Sequence, residues 1–212
     1  MAVSNEQQPV LVIMGVSGSG KSTVAAILAG QLGWDLEEGD DLHPAANLAK
    51  MASGQPLTDE DRWPWLDRVS AWISDHTTSG IPGIITCSAL KRIYRDRMRC
   101  SNVIFVHLAG SKDQIGQRLA ARTDHFMPTT LLDSQLMTLE PPGPDENTLS
   151  VAVGRKPAGV AAEIIRRLDL TPQPGSSAFG SAHPGSSSAP PLRDLTRAAQ
   201  ESSTTADTPG RS

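Results

Sequence analysis

The stretch GVSGSGKST, Gly15 to Thr23, decides the fold of this 212-residue chain. Its first eight residues fit the pattern G-x-x-x-x-G-K-[ST] without a mismatch, after the apolar run VLVIM and before a helical pattern. Because glycine lacks a Cβ, successive backbone N–H groups can curve around phosphate oxygens, and a following helix directs positive partial charge to the same place. The stretch therefore predicts a phosphate-binding loop between a strand and a helix.

Each polar group of this loop has an expected role. Lys21 reaches the β- and γ-phosphates and is a candidate catalytic residue, the Ser22 hydroxyl is the expected Mg²⁺ ligand, and Thr23 lies near the α-phosphate. The expected ligand is a nucleoside triphosphate with magnesium. The nucleotide-binding residues of the loop are predicted to be Gly15, Val16, Ser17, Gly18, Ser19, Gly20, Lys21, Ser22 and Thr23.

Residues 1–171 alternate apolar runs with helical periodicity, and this alternation predicts the fold class. Apolar strands separated by helices form a parallel sheet that is covered on both faces. We expect a three-layer α/β domain with five parallel strands. The strands are predicted at 10–15, 34–38, 83–88, 103–108 and 149–153, and the helices at 22–32, 45–51, 64–76, 90–99, 112–122, 130–140 and 157–168.

Composition limits the partners and the compartment. The net charge of −4 and the pI near 5.7 argue against a nucleic-acid partner, which favours a basic surface. No apolar run approaches the ~20 residues of a membrane span, and no basic segment precedes the first apolar run. Two cysteines without metal-ligand spacing suit a reducing compartment. A cytoplasmic protein without a membrane partner is expected.

The last part of the chain differs in composition from the rest. Residues 172–212 are rich in Ser, Pro, Gly and Ala and contain a single aromatic residue. Such a segment cannot bury enough apolar surface to offset its ordering entropy, so a disordered tail is predicted.

The phosphate acceptor is expected at the same sheet edge as the loop. The chain has no N-K-x-D motif, so a GTPase is disfavoured, and its small size favours a kinase of a small molecule. Glu38 and Asp40 lie two residues apart on an extended segment after the second strand, where Asp40 could take a hydroxyl proton. Lys91 and Arg95 are spaced i, i+4 and would share a helix face. Solvated surface charges remain the alternative for all four.

Five stretches, in this order and spacing, resemble the gluconokinase family of small P-loop carbohydrate kinases. The likeness runs from about residue 10 to 168. It implies the fold shared with shikimate and nucleoside monophosphate kinases, transfer of the γ-phosphate of ATP to the 6-hydroxyl of D-gluconate with Mg²⁺, and a homodimer. The stretches are GVSGSGKST, GDDLHPAANLAKMASGQPLTDEDRWPWL, CSALKRIYRDR, RTDHFMP and SQLMTLEPP.

The resemblance also assigns roles in the substrate pocket. It makes Asp40 the partner of the substrate hydroxyls and a candidate catalytic base, and it places His43 at the border of the pocket. Lys91 and Arg95 become candidates to pair with the gluconate carboxylate, since a small anion requires a fixed cation. Glu38 stands where many relatives have aspartate, which is one methylene shorter. The resemblance therefore does not decide whether Glu38 binds the metal directly.

A lid over the phosphates is implied at about residues 118–130. Arg118 is its expected nucleotide-binding residue, and Arg122 is its expected catalytic residue, which would neutralise charge and exclude water. Asp124 stands where many relatives have glycine, so the hinge of this lid can differ.

Two alternatives remain open at this stage. The first is a kinase of a related acid, such as shikimate or another aldonate, because no feature determines chain length or stereochemistry. The second is a non-catalytic nucleotide-binding regulator with the tail as its docking arm, which the intact Lys21, Ser22, Asp40 and Arg122 disfavour.

Overall fold

The computed structural model describes residues 8–120 and 129–173, and the elements follow the predicted alternation. The strands are β1 Val10–Met14, β2 Asp35–Glu38, β3 Gly83–Thr86, β4 Val103–Ala109 and β5 Thr148–Ala152. The helices are α1 Lys21–Leu32, α2 Ala45–Ala52, α3 Asp59–Ser79, α4 Arg92–Met98, α5 Lys112–Ala120, α6 Thr129–Thr138 and α7 Pro157–Arg167. A 3₁₀ turn, Gly39–Leu42, connects β2 to the segment before α2.

The five strands form one parallel sheet in the order β2-β3-β1-β4-β5, which confirms the predicted fold class. Strand β1 lies at the centre, where Leu11 is opposite Ile84 of β3 and Ile104 of β4. Because β3 lies on one side of β1 and β4 on the other, the connections between strands run to both sides of β1. In such sheets ligands bind beyond the carboxyl ends of the strands at this point of divergence.

The central strand is buried on both faces, as its uninterrupted apolar sequence requires. Leu11 and Ile13 pack into a core with α1 and α7, whereas Val10, Val12 and Met14 pack into a second core with α3 and α4. The two cores hold the sheet between two helical layers. The carboxyl edge of the sheet is thus a rigid base for the loops that carry polar residues.

Helix α3 begins earlier than the sequence indicated. Thr58 and Asp61 form a reciprocal cap, with Asp61 N–H donating to Thr58 Oγ1 at 3.3 Å and Thr58 N–H to Asp61 Oδ2 at 2.7 Å. Because this cap starts the helix at Asp59, Pro64 lies inside α3, and its predicted place at the first helical position is wrong. A cap of this kind is worth about 1 kcal/mol.

The described chain ends just after α7. Gln173 N–H donates to the Gln31 carbonyl at 2.9 Å, so the chain still contacts α1 at this residue. Most of the predicted tail, and the centre of the predicted lid with Arg122 and Asp124, lie outside the described residues. Among the helices of 8–120 and 129–173, none has the length and apolar character needed to cross a membrane.

Candidate active site

The predicted phosphate-binding loop joins β1 to α1 at the carboxyl edge of the sheet. Gly18 and Gly20 adopt φ angles of 78° and 97°, in the left-handed region that favours glycine. A Cβ on Gly18 would lie 2.6 Å from Leu119 Cγ on α5. The backbone conformation therefore favours glycine at both positions, and the close approach of α5 also requires it at Gly18.

Two cations contact the backbone of this loop. The Lys21 ammonium lies 3.2 Å from the Gly15 carbonyl and 3.3 Å from that of Val16, at the beginning of the loop. Arg118 Nη1 on α5 donates to the Ser19 carbonyl at 3.2 Å. The predicted nucleotide-binding residues Lys21 and Arg118 are thus brought to the same loop by different elements.

The Ser22 hydroxyl and the Glu38 carboxylate meet beside the loop. Ser22 Oγ donates to Glu38 Oε2 at 3.1 Å, and Thr86 Oγ1 donates to the same oxygen at 2.6 Å. A hydroxyl and a carboxylate oxygen are ligands that suit Mg²⁺, which typically takes only one or two protein ligands besides phosphate and water. These residues therefore fit a Mg²⁺ bound together with a nucleotide.

Asp40 lies on the tightly packed 3₁₀ turn Gly39–Leu42, so the prediction that it lies on an extended segment is wrong. Strand β2 ends at Glu38, and a Cβ on Gly39 would lie 2.0 Å from the Thr86 carbonyl oxygen. Gly39 N–H donates to Thr86 Oγ1 at 3.2 Å, while Trp65 Nε1–H donates to the Gly39 carbonyl at 2.6 Å. The turn is thus fixed by β3 and α3, and the Asp40 side chain is exposed at the sheet edge.

His43 is a buried, neutral hydrogen-bonding group. Its ring stacks on Trp65, with the ring centroids 4.3 Å apart. Burial lowers the pKa of His43, the nearby Asp40 raises it and Arg62 lowers it further, so the lowered pKa favours the neutral ring at pH 7. Asn47 Nδ2 donates to the Asp61 carbonyl at 2.8 Å and lies 3.3 Å from His43 Nδ1. Nδ1 therefore accepts, and Nε2–H remains as the donor.

Lys91 precedes α4 and pairs with the first residue of α3. Its ammonium lies 2.6 Å from Asp59 Oδ2, and Tyr94 OH donates to Asp59 Oδ1 at 2.5 Å. The Lys91 hydrogen bond, followed by that of Tyr94, lowers the pKa of Asp59. Lys91 remains about one-third exposed, so it can also contact a ligand.

Arg95 is not a pocket residue, and its prediction as a substrate ligand is wrong. Helix α4 begins at Arg92, so Lys91 and Arg95 do not share a helix face. The Arg95 side chain is 1% exposed, and its guanidinium forms a two-point ion pair with Glu146 at 2.5 and 3.0 Å. It also donates to the Ala89 and Leu90 carbonyls. The guanidinium nitrogens of Arg95 thus donate to groups inside the protein and not to a ligand at the sheet edge.

Arg62 supplies the second cation near the candidate substrate pocket. Its Nη1 donates to the Leu57 carbonyl at 2.7 Å, and its Cζ lies 5.9 Å from the centre of the Tyr94 ring. Its charge acts on the pKa values of both His43 and Asp59. Its Nη1 also lies 3.7 Å from Asp59 Oδ1, so Arg62 and Lys91 contact the same carboxylate.

Known proteins resemble this chain over most of its length. A family model described as an AAA domain matches residues 10–142. A gluconokinase of Gluconobacter oxydans is 50% identical over 160 residues, which cover 74% of this chain and 90% of that protein. The thermoresistant gluconokinase of Escherichia coli is 44% identical, with 78% of this chain and 96% of the relative covered. The chain belongs to the gluconokinase family.

A solved structure supports the same family. The crystal structure of a gluconokinase from Sinorhizobium meliloti is 43% identical, with a TM-score of 0.70, and the match covers 76% of this chain and 91% of that one. Together with the sheet order, this match confirms the predicted α/β P-loop kinase fold.

Sequence reasoning missed several residues that shape this gluconokinase-family site. Gly39 lies in the motif GDDLHP, and Arg62 and Trp65 lie in DRWPWL. Membership of these motifs was the only indication in the sequence that the three residues matter. Gln135, in SQLMTLEPP, accepts a hydrogen bond from the Ser17 N–H of the phosphate-binding loop at 2.6 Å. Each acts across elements that are distant in sequence, so local patterns do not predict these contacts.

Cys87 lies at the same edge but is not a reactive thiol. It is buried at the end of β3, and burial raises the pKa of its thiol to about 12. The Asp40 charge raises this pKa further, and the Lys21 charge lowers it. The thiol therefore stays protonated at neutral pH and is protected from oxidants.

Proposed function

We propose that this kinase transfers the γ-phosphoryl group of ATP to the 6-hydroxyl of D-gluconate, giving 6-phospho-D-gluconate and ADP. The observation that carries the proposal is that the phosphate-binding loop and the turn that carries Asp40 meet at one sheet edge. Ser22 Oγ, next to Lys21, donates to Glu38 Oε2 at 3.1 Å, and the exposed Asp40 follows Glu38 by two residues. Membership of the gluconokinase family supports D-gluconate as the acceptor.

Asp40 acts as the proton acceptor in this proposal. Its carboxylate is exposed at the edge and accepts a hydrogen bond from the 6-hydroxyl of the sugar acid. As the hydroxyl oxygen forms its bond to the γ-phosphorus, the proton passes to Asp40, and the bond to the leaving ADP oxygen breaks. The fixed turn around Gly39 holds the carboxylate in position for this transfer.

Lys21 and the backbone N–H groups of the loop hold the phosphates and stabilise the charge that develops during transfer. Ser22 and Glu38 would hold Mg²⁺, Ser22 through its hydroxyl and Glu38 through its carboxylate or a bound water. When bound, Mg²⁺ would neutralise part of the negative charge on the phosphates. Arg118 supports the loop through Ser19, and Arg122 remains the proposed lid cation.

The gluconate carboxylate is proposed to pair with Arg62 and Lys91, which replace the predicted pair of Lys91 and Arg95. Both cations are partly exposed and flank the Tyr94 ring. His43 donates its Nε2–H to a hydroxyl group of gluconate. A sugar without a carboxylate would gain no charge-assisted contact with these two cations and is therefore a poor substrate.

Replacing Arg62 with methionine tests this carboxylate site. A lost hydrogen bond to a charged group costs about 1.5–3 kcal/mol, so we expect KM for D-gluconate to rise about 10- to 100-fold. KM for ATP should be nearly unchanged. Arg68→Met is the matched control, because Arg68 also lies on α3 and also donates to a backbone carbonyl, that of Leu42. Equal KM values in both variants would exclude Arg62 as a substrate ligand.

The function itself is tested by ADP release from Mg·ATP with D-gluconate, shikimate, D-glucose or D-galactonate. We expect turnover well above background with D-gluconate alone, and a product whose mass and phosphorus spectrum match a primary phosphate ester. Preferred turnover of another acid would leave the phosphoryl chemistry intact and disprove the proposed acceptor. Nucleotide binding without turnover of any compound would favour the regulator.

The assembly and domain limits are also proposals. We propose a cytoplasmic homodimer whose kinase domain comprises residues 1–171, with a lid at about 118–130 and a tail, 172–212, without a catalytic role. The gluconokinases of Gluconobacter oxydans and Escherichia coli described above support this division, since their matches cover 74% and 78% of this chain and 90% and 96% of those relatives. Light scattering of the full chain measures the assembly, and turnover of a chain shortened at residue 173 measures the contribution of the tail.

A further inference from the structure

The phosphate-binding loop has a contact that the proposed chemistry does not use. Ser17 N–H donates to Gln135 Oε1 at 2.6 Å, across 118 positions of sequence. Gln135 lies near the middle of α6, and its side chain is half-buried. A helix on another part of the chain therefore places a carboxamide directly at a backbone amide of the kind that binds phosphate.

This contact lies at the γ-phosphate end of the loop. The Lys21 ammonium, which addresses the β- and γ-phosphates, is within 3.3 Å of the carbonyls of Gly15 and Val16, the two residues before Ser17. Gly15 N–H donates to the Ser88 carbonyl, which connects this end to the segment leading to Lys91. Gln135 is thus near the site where the transferred group and the acceptor must meet.

The orientation of the carboxamide follows from its partner. Because Ser17 offers an N–H, Gln135 must present its oxygen there, and its –NH₂ group with two donors lies directly beside that oxygen. The γ-phosphoryl group presents three acceptor oxygens on which charge is spread during transfer. A neutral donor pair at this position would stabilise that charge without adding a further cation.

Helix α6 is held rigidly enough to position such a donor. Leu132 packs into the core beside α1, and Leu139 N–H closes the helix on the Gln135 carbonyl at 2.9 Å. Beyond the helix, Glu140 N–H donates to the Leu90 carbonyl, and Glu140 Oε2 accepts from Arg92 N–H at 2.6 Å. The helix is therefore anchored to the substrate-side segment as well as to the phosphate-binding loop.

We propose that Gln135 recognises the γ-phosphate: its carboxamide oxygen holds the Ser17 N–H, and its –NH₂ donates to a γ-phosphoryl oxygen of bound ATP. The inference rests on the proposed phosphoryl transfer but not on the identity of the acceptor. It adds to the site a residue that distinguishes ATP from ADP, since ADP lacks the group that the –NH₂ contacts.

The test compares Gln135→Glu with Gln135→Leu. Glutamate keeps an oxygen for Ser17 N–H but removes the donors and adds a negative charge, so it separates the contact with the loop from the contact with phosphate. Calorimetry with the non-hydrolysable analogue AMPPNP and with ADP, both with Mg²⁺, gives the readout. We expect AMPPNP affinity to fall about 10-fold in Gln135→Leu and further in Gln135→Glu, with ADP affinity changed less than about 2-fold.

Steady-state turnover gives the second readout. Losing a donor to developing charge typically costs about 10²- to 10³-fold in kcat, and we expect such a loss with a nearly unchanged KM for the acceptor. The matched control is Gln114→Leu on α5, because Gln114 Oε1 also accepts a backbone N–H, from Ser111 at 3.1 Å, away from the loop. This control should retain the affinities and turnover of the unmodified protein.

Three results would overturn the proposal. Equal losses of AMPPNP and ADP affinity would mean that Gln135 only supports the loop. Tighter AMPPNP binding in Gln135→Leu would mean that the carboxamide competes with phosphate for the Ser17 N–H. Unchanged binding and kcat in Gln135→Glu would mean that the –NH₂ has no role. Both affinities are measured without a phosphate acceptor. If D-gluconate proves not to be the acceptor, the ratio of the AMPPNP and ADP affinities therefore still tests the role of Gln135.

Discussion

Replacing Asp40 with asparagine is expected to lower kcat by about 10²- to 10⁴-fold, the usual contribution of a positioned general base. Asparagine has nearly the same shape but cannot take the proton of the acceptor hydroxyl. The side chain is exposed and its turn is fixed through the backbone of Gly39, so the fold should be unaffected. Affinity for ATP should be nearly unchanged, which initial rates and calorimetry would measure.

Asp41→Asn is the control for this prediction. Asp41 follows Asp40 on the same 3₁₀ turn and is also exposed, so both substitutions remove one negative charge from nearly the same place. We expect near-normal turnover from Asp41→Asn. If Asp40→Asn retained kcat within a few-fold of that control, the proton would pass to another group and the proposed role of Asp40 would be wrong.

Replacing Arg95 with methionine is expected to lower the free energy of unfolding by about 3–5 kcal/mol, the usual cost of breaking a buried ion pair from one side. The side chains of Arg95 and Glu146 are 1% and 2% exposed, so the substitution would leave the carboxylate of Glu146 buried without a cation. The Ala89 carbonyl would also lose its donor, and Ala89 has an unfavourable φ of 46°. Urea unfolding would measure the loss.

Arg92→Met provides the matched comparison. Arg92 also pairs with a carboxylate at two points, that of Asp145, but the two side chains are about half exposed. Such surface pairs contribute less than about 1 kcal/mol. The double variant Arg95→Met with Glu146→Gln should recover part of the loss, because no buried charge remains unpaired. Similar costs for Arg95→Met and Arg92→Met would show that the buried pair is not a major source of stability.

The positions of the strands and the loop could be predicted from local patterns because their causes are local. Strand β1 is apolar at every position, and its glycine-rich continuation is the loop itself, so the two could be located without tertiary information. The helix predicted at 64–76 instead begins at Asp59, because the Thr58–Asp61 cap precedes Pro64 and its strength relative to a proline cannot be judged from spacing alone.

The residues proposed to bind the gluconate carboxylate were predicted less well than the strands and the loop. Charge alone does not distinguish an arginine that binds a ligand from one that forms an ion pair inside the protein. Arg95 and Arg62 are both arginines in motifs of the same family resemblance, and nothing in the sequence ranks them. Arg95 is buried because Glu146, 51 positions later, lies opposite it, whereas Arg62 remains partly exposed beside Tyr94. The exposure of each arginine depends on partners that only the fold brings near.

The sequence by itself determined the α/β class, the phosphate-binding loop and the family, since each depends on residues adjacent in the chain or in a recognisable order. Only the tertiary structure decided which cations face the pocket, how the turn that carries Asp40 is held, and that Gln135 reaches the Ser17 N–H. The physical reason is the geometry of a parallel sheet. Its carboxyl edge brings together side chains from strands and helices far apart in sequence, and the packing of their neighbours sets which of these side chains remain accessible.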